Sequence, residues 1–311
     1  LATHRAFLHS VTMFGSHLSV AGGMHNALLE AERLGLDCVQ VFTKNQRQWK
    51  APPLKDSDVR EWLAGLKERG WQHRTVSHAT YLMNCASPDA DLHAKSTAML
   101  GEELERCATL SIPYLVAHPG AHLGEGEQAG AERIAKACAE VFAKGHGGQV
   151  MLCLENTAGG GSTLGRTFEE LALVKRLIDE ASQGDAVGRV GYCFDTCHAL
   201  AAGYDMGVRP DGVSKERTVA EGEAAGTAVL DEFDRVCGLE NLRVVHLNDS
   251  KGKRGSRLDR HEHIGHGEVA PGAFRAVVRH RRLEGVPMIL ETPKEDNEKG
   301  VPWDKVNLAK L

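Results

Sequence analysis

Short runs rich in Val, Ile, Leu and Phe alternate with longer amphipathic stretches along the whole chain, and the alternation occurs eight times. That is the pattern of repeated strand–helix units around a parallel sheet. Strands are expected near 13–18, 37–42, 74–79, 113–118, 150–155, 190–195, 242–248 and 286–291. Helices are expected near 22–35, 56–69, 90–110, 127–145, 167–182, 216–237, 272–283 and 302–311. Asp and Ser near several helix starts, with Gly35, Gly70 and Gly145 at ends, fit helix punctuation. Eight parallel units close naturally into an α/β fold of the TIM (β/α)8 barrel type, as a single domain. A doubly wound open sheet is the alternative, but no Gly-rich dinucleotide fingerprint follows the first strand, and AGGM at 21–24 is too short to be one.

Six of the eight expected strands run out on residue types that bind transition metals: His78 in SHATY, His118 in VAHPG, Glu155 in LCLENT, Asp195 with His198 in CFDTCH, His246 in VVHLND and Glu291 in MILET. A loop pair, Asp259 and His261, brings the set to nine. In a barrel these strand ends converge on the face that carries chemistry. Taken singly, a His at a strand end more often serves hydrogen bonding or acid–base work. Taken together, five His and four carboxylates on one face would be mutually repulsive and poorly solvated without cations. Nine ligands are too many for one ion, so a cluster of metals is expected. Nitrogen and oxygen donors without required sulfur suit zinc, with Mn or Fe as substitutes, better than calcium or magnesium. Asp195 and His198 are read as lying across a strand-to-loop bend, and Asp259 and His261 in an extended loop, so that each pair aims both side chains inward.

The 311 residues are 42% hydrophobic and 25% charged, ordinary for one large soluble globular domain. Eight cysteines are scattered without a CxxC pair, so they are read as buried small apolar residues of a reducing, intracellular compartment, whether nuclear, organellar or bacterial cytoplasmic. Cys197, between two ligands, is a weak rival for metal. No stretch approaches the roughly 20 apolar residues needed to cross a membrane. The first dozen residues lack an initiator Met and a signal-peptide pattern; residues 1–12 are expected to be an N-terminal extension consistent with trimming, and 13–311 the barrel domain. The formal charge of −5 argues against a nucleic-acid partner at first sight. Three divalent ions would bring it to about +1, so net charge does not exclude DNA.

Adjacent divalent ions lower the pKa of a shared water, bind phosphate oxygens and stabilise a departing alkoxide, which is the division of labour of phosphodiester hydrolysis. The loops FTKNQRQWK at 42–50 and SKGKRGSRLDR at 250–260 place Lys, Arg, Gln, Asn and Trp on the same rim. Lys and Arg pair with phosphates, and flat or extended side chains fill a gap in a base stack. Either loop alone is also readable as a solvated surface loop.

The strings AGGM, FTKNQRQW, HPG, ENTAG, FDTCH, HLNDSK, GSRLDRH and ILETP, in this order, closely resemble the endonuclease IV family of apurinic/apyrimidinic endonucleases, AP endonuclease family 2. The resemblance runs from about Gly15 to the C-terminal helix, and FTKNQRQW, DTCH and HLNDSK together are not shared by generic barrels. It implies a zinc-dependent enzyme of base excision repair that cuts duplex DNA on the 5′ side of an abasic nucleotide, leaving a 3′-hydroxyl and a 5′-deoxyribose phosphate, and that trims blocked 3′ ends. By motif position it implies three zinc ions per chain: one on His78 and His118, with Glu155 bridging to a second on Asp195, His246 and Glu291, and a third on His198, Asp259 and His261. Glu155 and Glu291 would fix the hydrolytic water. Arg47 would insert into the duplex, and Tyr81 and Leu82 match a second inserting loop. Recognition of a single lesion requires no dimer, so a monomer is expected.

Some residues depart from the family pattern. Ala79 follows His78 where the family often has an acid, so the orienting partner of His78 is either missing or supplied elsewhere. His263 and His266 in HEHIGHG are either competing ligands or loop polar residues, and His17 and His122 are expected to support ligands or face phosphate. The rival readings are a metal-dependent sugar isomerase of the same barrel superfamily, which would need neither the third-metal trio nor a basic inserting loop, and a catalytically silent damage-binding protein.

Overall fold

The structure, a computed structural model, describes residues 12–184, 188–209 and 216–311. All but Thr12 of the expected N-terminal extension lies outside them. Ten strands are present among the described residues: β1 (Met13–His17), β2 (Cys38–Val41), β3 (Thr75–His78), β4 (Tyr114–Ala117), β5 (Met151–Glu155), β6 (Val190–Asp195), β7 (Leu242–His246), β8 (Asp249–Ser250), β9 (His261–Glu262) and β10 (Pro287–Leu290). Eight of them close into a parallel barrel in the order β1-β10-β7-β6-β5-β4-β3-β2, the expected TIM barrel. The main helices are α1 (Asn26–Leu34), α2 (Asp56–Arg69), α3 (Ala90–Thr109), α4 (Glu127–Ala143), α5 (Phe168–Ala181), α6 (Thr196–Ala202), α7 (Val219–Cys237), α8 (Pro271–Val278) and α9 (Trp303–Leu308).

Two elements correct the sequence reading. Asp195 and His198 do not span a loop: Asp195 caps α6, its Oδ1 accepting the His198 backbone N–H at 2.7 Å, so His198 sits in the first turn of a helix. The run after Ser250 is not simply an extended loop either, because β8 and β9 pair antiparallel with Ser250 opposite His261. The buried Asp249 carboxylate fixes this hairpin by accepting backbone N–H groups of Ser250, Gly265, Gly267 and Val269.

Alternate residues of a strand share a face, and the barrel uses this period to build its interior in layers. Cys38, Val76, Val116, Cys153, Cys193, Val244 and Ile289 form one buried cluster, drawn from seven of the strands. The eighth strand, β1, contributes Gly15, where a Cβ would come within 2.6 Å of the Cys38 carbonyl oxygen and 2.8 Å of Ile289 Cδ1. This apolar plug leaves no polar floor for water. The opposite strand faces carry Val39, Leu115, Leu152, Phe194 and Val245, which join Trp62, Leu104, Phe168 and Phe233 in the outer core. Each such side chain contributes about 1.5–3 kcal/mol by burial.

Candidate metal centre

Two residues beyond each member of the plug, the chain places a polar side chain: His17, Gln40, His78, His118, Glu155, Asp195, His246 and Glu291. All eight strands contribute, not the six that sequence reading selected. Along a strand a step of two keeps the same face, so every one of these residues stands above the plug at the C-terminal mouth. The layer is deeply buried on one side, with Glu155, Asp195 and His246 fully buried and His78 nearly so. His118 and Glu291 are partly open, at 28% and 10% side-chain exposure, so the centre has one accessible flank.

Glu155 is the hub. Its Oε2 lies 3.1 Å from His78 Nε2 and 3.1 Å from His118 Nε2, and its Oε1 lies 2.8 Å from His246 Nδ1. His246 Nδ1 is also 3.1 Å from Glu291 Oε2. On the other flank, His198 Nε2 is 3.2 Å from Asp259 Oδ1, and His261 Nε2 is 3.5 Å from the same oxygen. Ligand atoms lie within 4.8 Å of one another in the sets His78–His118–Glu155, Glu155–Asp195–His246–Glu291, Asp195–His198–His261 and His118–His198–Asp259. Glu155 belongs to two of these sets and Asp195 to two, so the sets are joined through shared carboxylates.

The imidazoles are held in orientations that suit ligation. A carbonyl oxygen can only accept, so His78 Nδ1 donates to the Ala79 carbonyl at 2.8 Å and turns Nε2 to Glu155. The partner absent from the Ala79 side chain is therefore supplied by the Ala79 backbone. His198 Nδ1 donates to the Asn156 carbonyl at 2.9 Å, and His261 Nδ1 lies 3.3 Å from the Glu291 carbonyl. The outward-facing Nε2 atoms of His198 and His261 are buried and have no hydrogen-bond partner. Orphaned buried nitrogens aimed at carboxylates, each with its other nitrogen already donating, are what a metal site requires of its histidines. The residues present fit divalent cations.

Electrostatics point the same way. Burial alone would push the Glu155 carboxyl up, but the charges of His246 and His118 and hydrogen bonds from His118 and His198 hold it well below the usual carboxylate range. Glu291 is held down against burial by His246 and His17. Burial would lower the pKa of His78 and His198, yet Glu155 raises the first, and Asp195, Asp259 and Glu155 raise the second. Burial is likewise overcome at His246, where Cys193, Glu291 and Glu155 raise the pKa. The ring thus favours charged carboxylates beside groups that carry, or are replaced by, positive charge.

The rim shapes the approach. A pocket of about 290 Å³ opens over His78 and His118, walled by Tyr81, Met83, Asn84 and Asp259. Tyr81 is 58% exposed, with its ring centroid 5.2 Å from that of His78 and 5.7 Å from that of His118. Leu82 follows it at the same lip, and Arg47 stands exposed on the neighbouring β2–α2 loop. Other candidates fall away. His263 stacks on Trp303 of α9 at 3.8 Å, and His266 meets the same ring edge-on, so both belong to packing. His122 Nδ1 accepts the Gly124 and Gly126 N–H groups and shapes the loop before α4. All eight cysteines are free and buried. Cys197 is turned to the Arg260 carbonyl; Cys193, expected from the sequence to be a buried apolar residue, stands beside Glu155 and His246, and burial pushes its thiol up to about 12.

Comparison with known proteins gives the family. The family described as xylose isomerase-like TIM barrel matches residues 28–308. A probable endonuclease 4 of Chloroflexus aggregans is 43% identical over 298 residues, covering 96% of each chain. The chain belongs to the endonuclease IV family. The crystal structure of endonuclease IV from Thermus thermophilus aligns over 96% of both chains with a TM-score of 0.76 and 36% identity. A D-tagatose 3-epimerase-like protein aligns with a TM-score of 0.65 at 17% identity, a likeness of fold alone. That likeness supports the barrel the sugar-isomerase reading shares, and the family assignment favours the endonuclease reading. No described helix is long and apolar enough to cross a membrane.

In this endonuclease IV family member the side chains that sequence reasoning missed are amides. Gln40 Nε2 donates to Glu291 Oε1 at 2.6 Å, and that fixes its Oε1 toward His246 Nε2 at 2.9 Å, so His246 must present Nδ1 to the carboxylates. The same amide nitrogen lies 2.9 Å from His17 Nδ1, which ties His17 into the ring as a support. Asn248 donates to Asp195 Oδ2 at 2.6 Å and accepts the Glu291 N–H at 2.8 Å, while Asn156 exchanges hydrogen bonds with the Asp195 backbone. Gln40 was detectable in principle, because it lies two residues past the inward-facing Cys38, the offset at which the other strands place their ligands.

Proposed function

We propose that this ring and hairpin hold three zinc-type ions and that the enzyme hydrolyses the phosphodiester on the 5′ side of an abasic nucleotide in duplex DNA, leaving a 3′-hydroxyl and a 5′-deoxyribose phosphate, and trims blocked 3′ ends during base excision repair. The observation that carries the reading is the sharing of Glu155 and Asp195 between donor sets. Carboxylates shared between donor sets would serve neighbouring ions acting on one phosphate, which a mononuclear sugar site does not need. His78, His118 and Glu155 would form one set and Glu155, Asp195, His246 and Glu291 the second; His198, Asp259 and His261, which the structure divides between the sets Asp195–His198–His261 and His118–His198–Asp259, would form the third, with both imidazoles within 3.5 Å of Asp259 Oδ1.

When bound, such ions lower the pKa of water and offset charge on the phosphoryl oxygens and the leaving 3′ oxygen. The protein does the rest. Glu155 and Glu291, which converge on His246 Nδ1 at 2.8 and 3.1 Å, orient the attacking water by accepting its hydrogen bonds. Gln40 and Asn248 hold the Glu291 carboxylate in place. Arg47, Tyr81 and Leu82 enter the duplex at the lesion, and the exposed Tyr81 ring closes the pocket over His78 so that a flipped sugar rests against it. Exposed Lys251, Lys253 and Arg260 on the hairpin pair with backbone phosphates. A labelled duplex with one synthetic abasic site is expected to be nicked on its 5′ side, with loss of nicking in a chelator and recovery on adding zinc. An intact duplex after prolonged incubation with zinc would sink this reading.

A further inference from the structure

The two rim loops assigned above to lesion entry share an anchor that the chemistry does not use. On α3, Glu103 is 1% exposed and stands outside the donor sets. Its Oε2 accepts from Thr43 Oγ1 at 3.3 Å, and its Oε1 accepts from the Thr80 backbone N–H at 3.2 Å. Thr43 lies near the start of the β2–α2 loop, four residues before Arg47, and Thr80 directly precedes Tyr81 and Leu82. The loops are also stitched to each other, because Thr80 Oγ1 donates to the Gln46 carbonyl at 2.6 Å. One turn further along α3, Arg106 donates to the carbonyls of Thr43 and Pro52, and Lys44 reaches back to the Trp49 carbonyl at 3.1 Å.

We propose that Glu103 is a positioning residue whose one buried carboxylate clasps both inserting loops, so that Arg47 and the Tyr81–Leu82 pair move as a single wedge. A buried carboxylate with two loop donors costs free energy to desolvate, and a core serving only stability would place an apolar side chain there. Two loops on one acceptor lose their independent motions before DNA arrives, so the ordering cost of inserting them is met in the free protein. The inference rests on the loop roles proposed above; its own content is the mechanical coupling.

The design predicts an asymmetry between substitutions. Burial pushes the Glu103 carboxyl up, against hydrogen bonds from Thr80 and Thr43 and the charges of Lys44 and Arg106, and what the clasp needs is the hydrogen-bond geometry. Glu103→Gln retains it, since the amide oxygen accepts from Thr80 and the amide nitrogen donates to the Thr43 hydroxyl. Glu103→Ala removes both holds.

Hydrogen exchange on the DNA-free, metal-loaded protein tests the clasp directly. In Glu103→Ala, residues 43–50 and 80–83 are expected to exchange together about tenfold faster, with Glu103→Gln close to the parent. On abasic duplex, Glu103→Ala raises KM about tenfold with kcat within about twofold, at unchanged metal content. If Glu103→Ala melts below the assay temperature, Thr43→Val removes one arm and is expected to give about a threefold acceleration in both segments. Acceleration in one segment alone, or in neither, overturns the proposal, as does a fall in kcat at constant KM. Should the parent protein leave the abasic duplex uncut, the proposed function fails while the exchange experiment still decides the clasp.

Discussion

Replacing Glu155 by Gln is the sharpest test of the centre. The substitution is nearly isosteric, so the barrel interior keeps its packing, but it removes one negative charge and turns one of two acceptor oxygens into a donor. In the parent those oxygens face His78, His118 and His246 at 2.8–3.1 Å. An amide presents one acceptor oxygen to the two donor sets that meet at this position, so one of them loses its Glu155 ligand. Per unit charge, losing a carboxylate about 4 Å from a cation at an effective dielectric of about 20 costs about 4 kcal/mol. That is about 10³-fold in affinity for the ion concerned. Elemental analysis after dialysis is expected to show about one ion fewer per chain than the parent. Nicking of the abasic duplex should fall by about 10³ or more, while binding of that duplex, which depends on the rim, stays within about tenfold. A variant that retains the full metal complement and cuts at the parent's rate would refute the hub role of Glu155.

Three further predictions concern the supports and the protons. Gln40→Leu leaves a buried His246 N–H without an acceptor and Glu291 without its donor, and supports of this kind are worth about 10–100-fold in metal affinity or activity; chelator competition should show this loss, and unchanged affinity together with unchanged kcat would count against it. Because His78, His198 and His246 have raised pKa values in the metal-free chain and must be neutral to ligate, loading at pH 7 should release protons, measurable by calorimetry in buffers of different ionisation enthalpy. Affinity should then fall about tenfold per displaced proton for each pH unit of acidification. The sign reverses for metal-free stability: a raised imidazole pKa contributes stability that is full below about pH 6.5 and is lost as pH rises through the folded values, so chelated protein should melt lower at alkaline pH. No proton release on loading would contradict the imidazole ligands.

The eight barrel strands were legible because each is a short apolar run that the structure places within a residue or two of its expected position. Where expectation failed, the pattern was too short to read. The segment TCHALAA makes seven residues of helix, less than two full turns of periodicity, and its sign was the Asp195 cap rather than any apolar stripe. The paired strands β8 and β9 are two residues each, below the length at which alternation shows. The first helix begins at Asn26 rather than near 22 because Gly22 and Gly23 take positive φ values of 81° and 144° and make a turn. Of the site, ligand types announced themselves, whereas Gln40, Asn156 and Asn248 did not. An amide is as common on a solvated loop as beside a metal, so chemistry alone gives it no signal; position above the plug does.

The barrel by itself explains only part of the donor arrangement. Its strands set six of the nine candidate ligands in one ring, enough for the two sets that share Glu155. The remaining three come from additions to the barrel: His198 from the first turn of α6, and Asp259 and His261 from the hairpin that Asp249 clamps by four backbone hydrogen bonds. Asp195 joins the two parts, because one oxygen caps α6 while the other lies 3.8 Å from His261 Nε2. A barrel stripped of those additions would keep two joined sites and lose the third. The third set is also the most open, Asp259 being 49% exposed, so it lies where a strand of nucleic acid can reach it and a small sugar would not need it. The specificity for a polymeric phosphate is thus built less by the strands than by the two elements appended at their mouths.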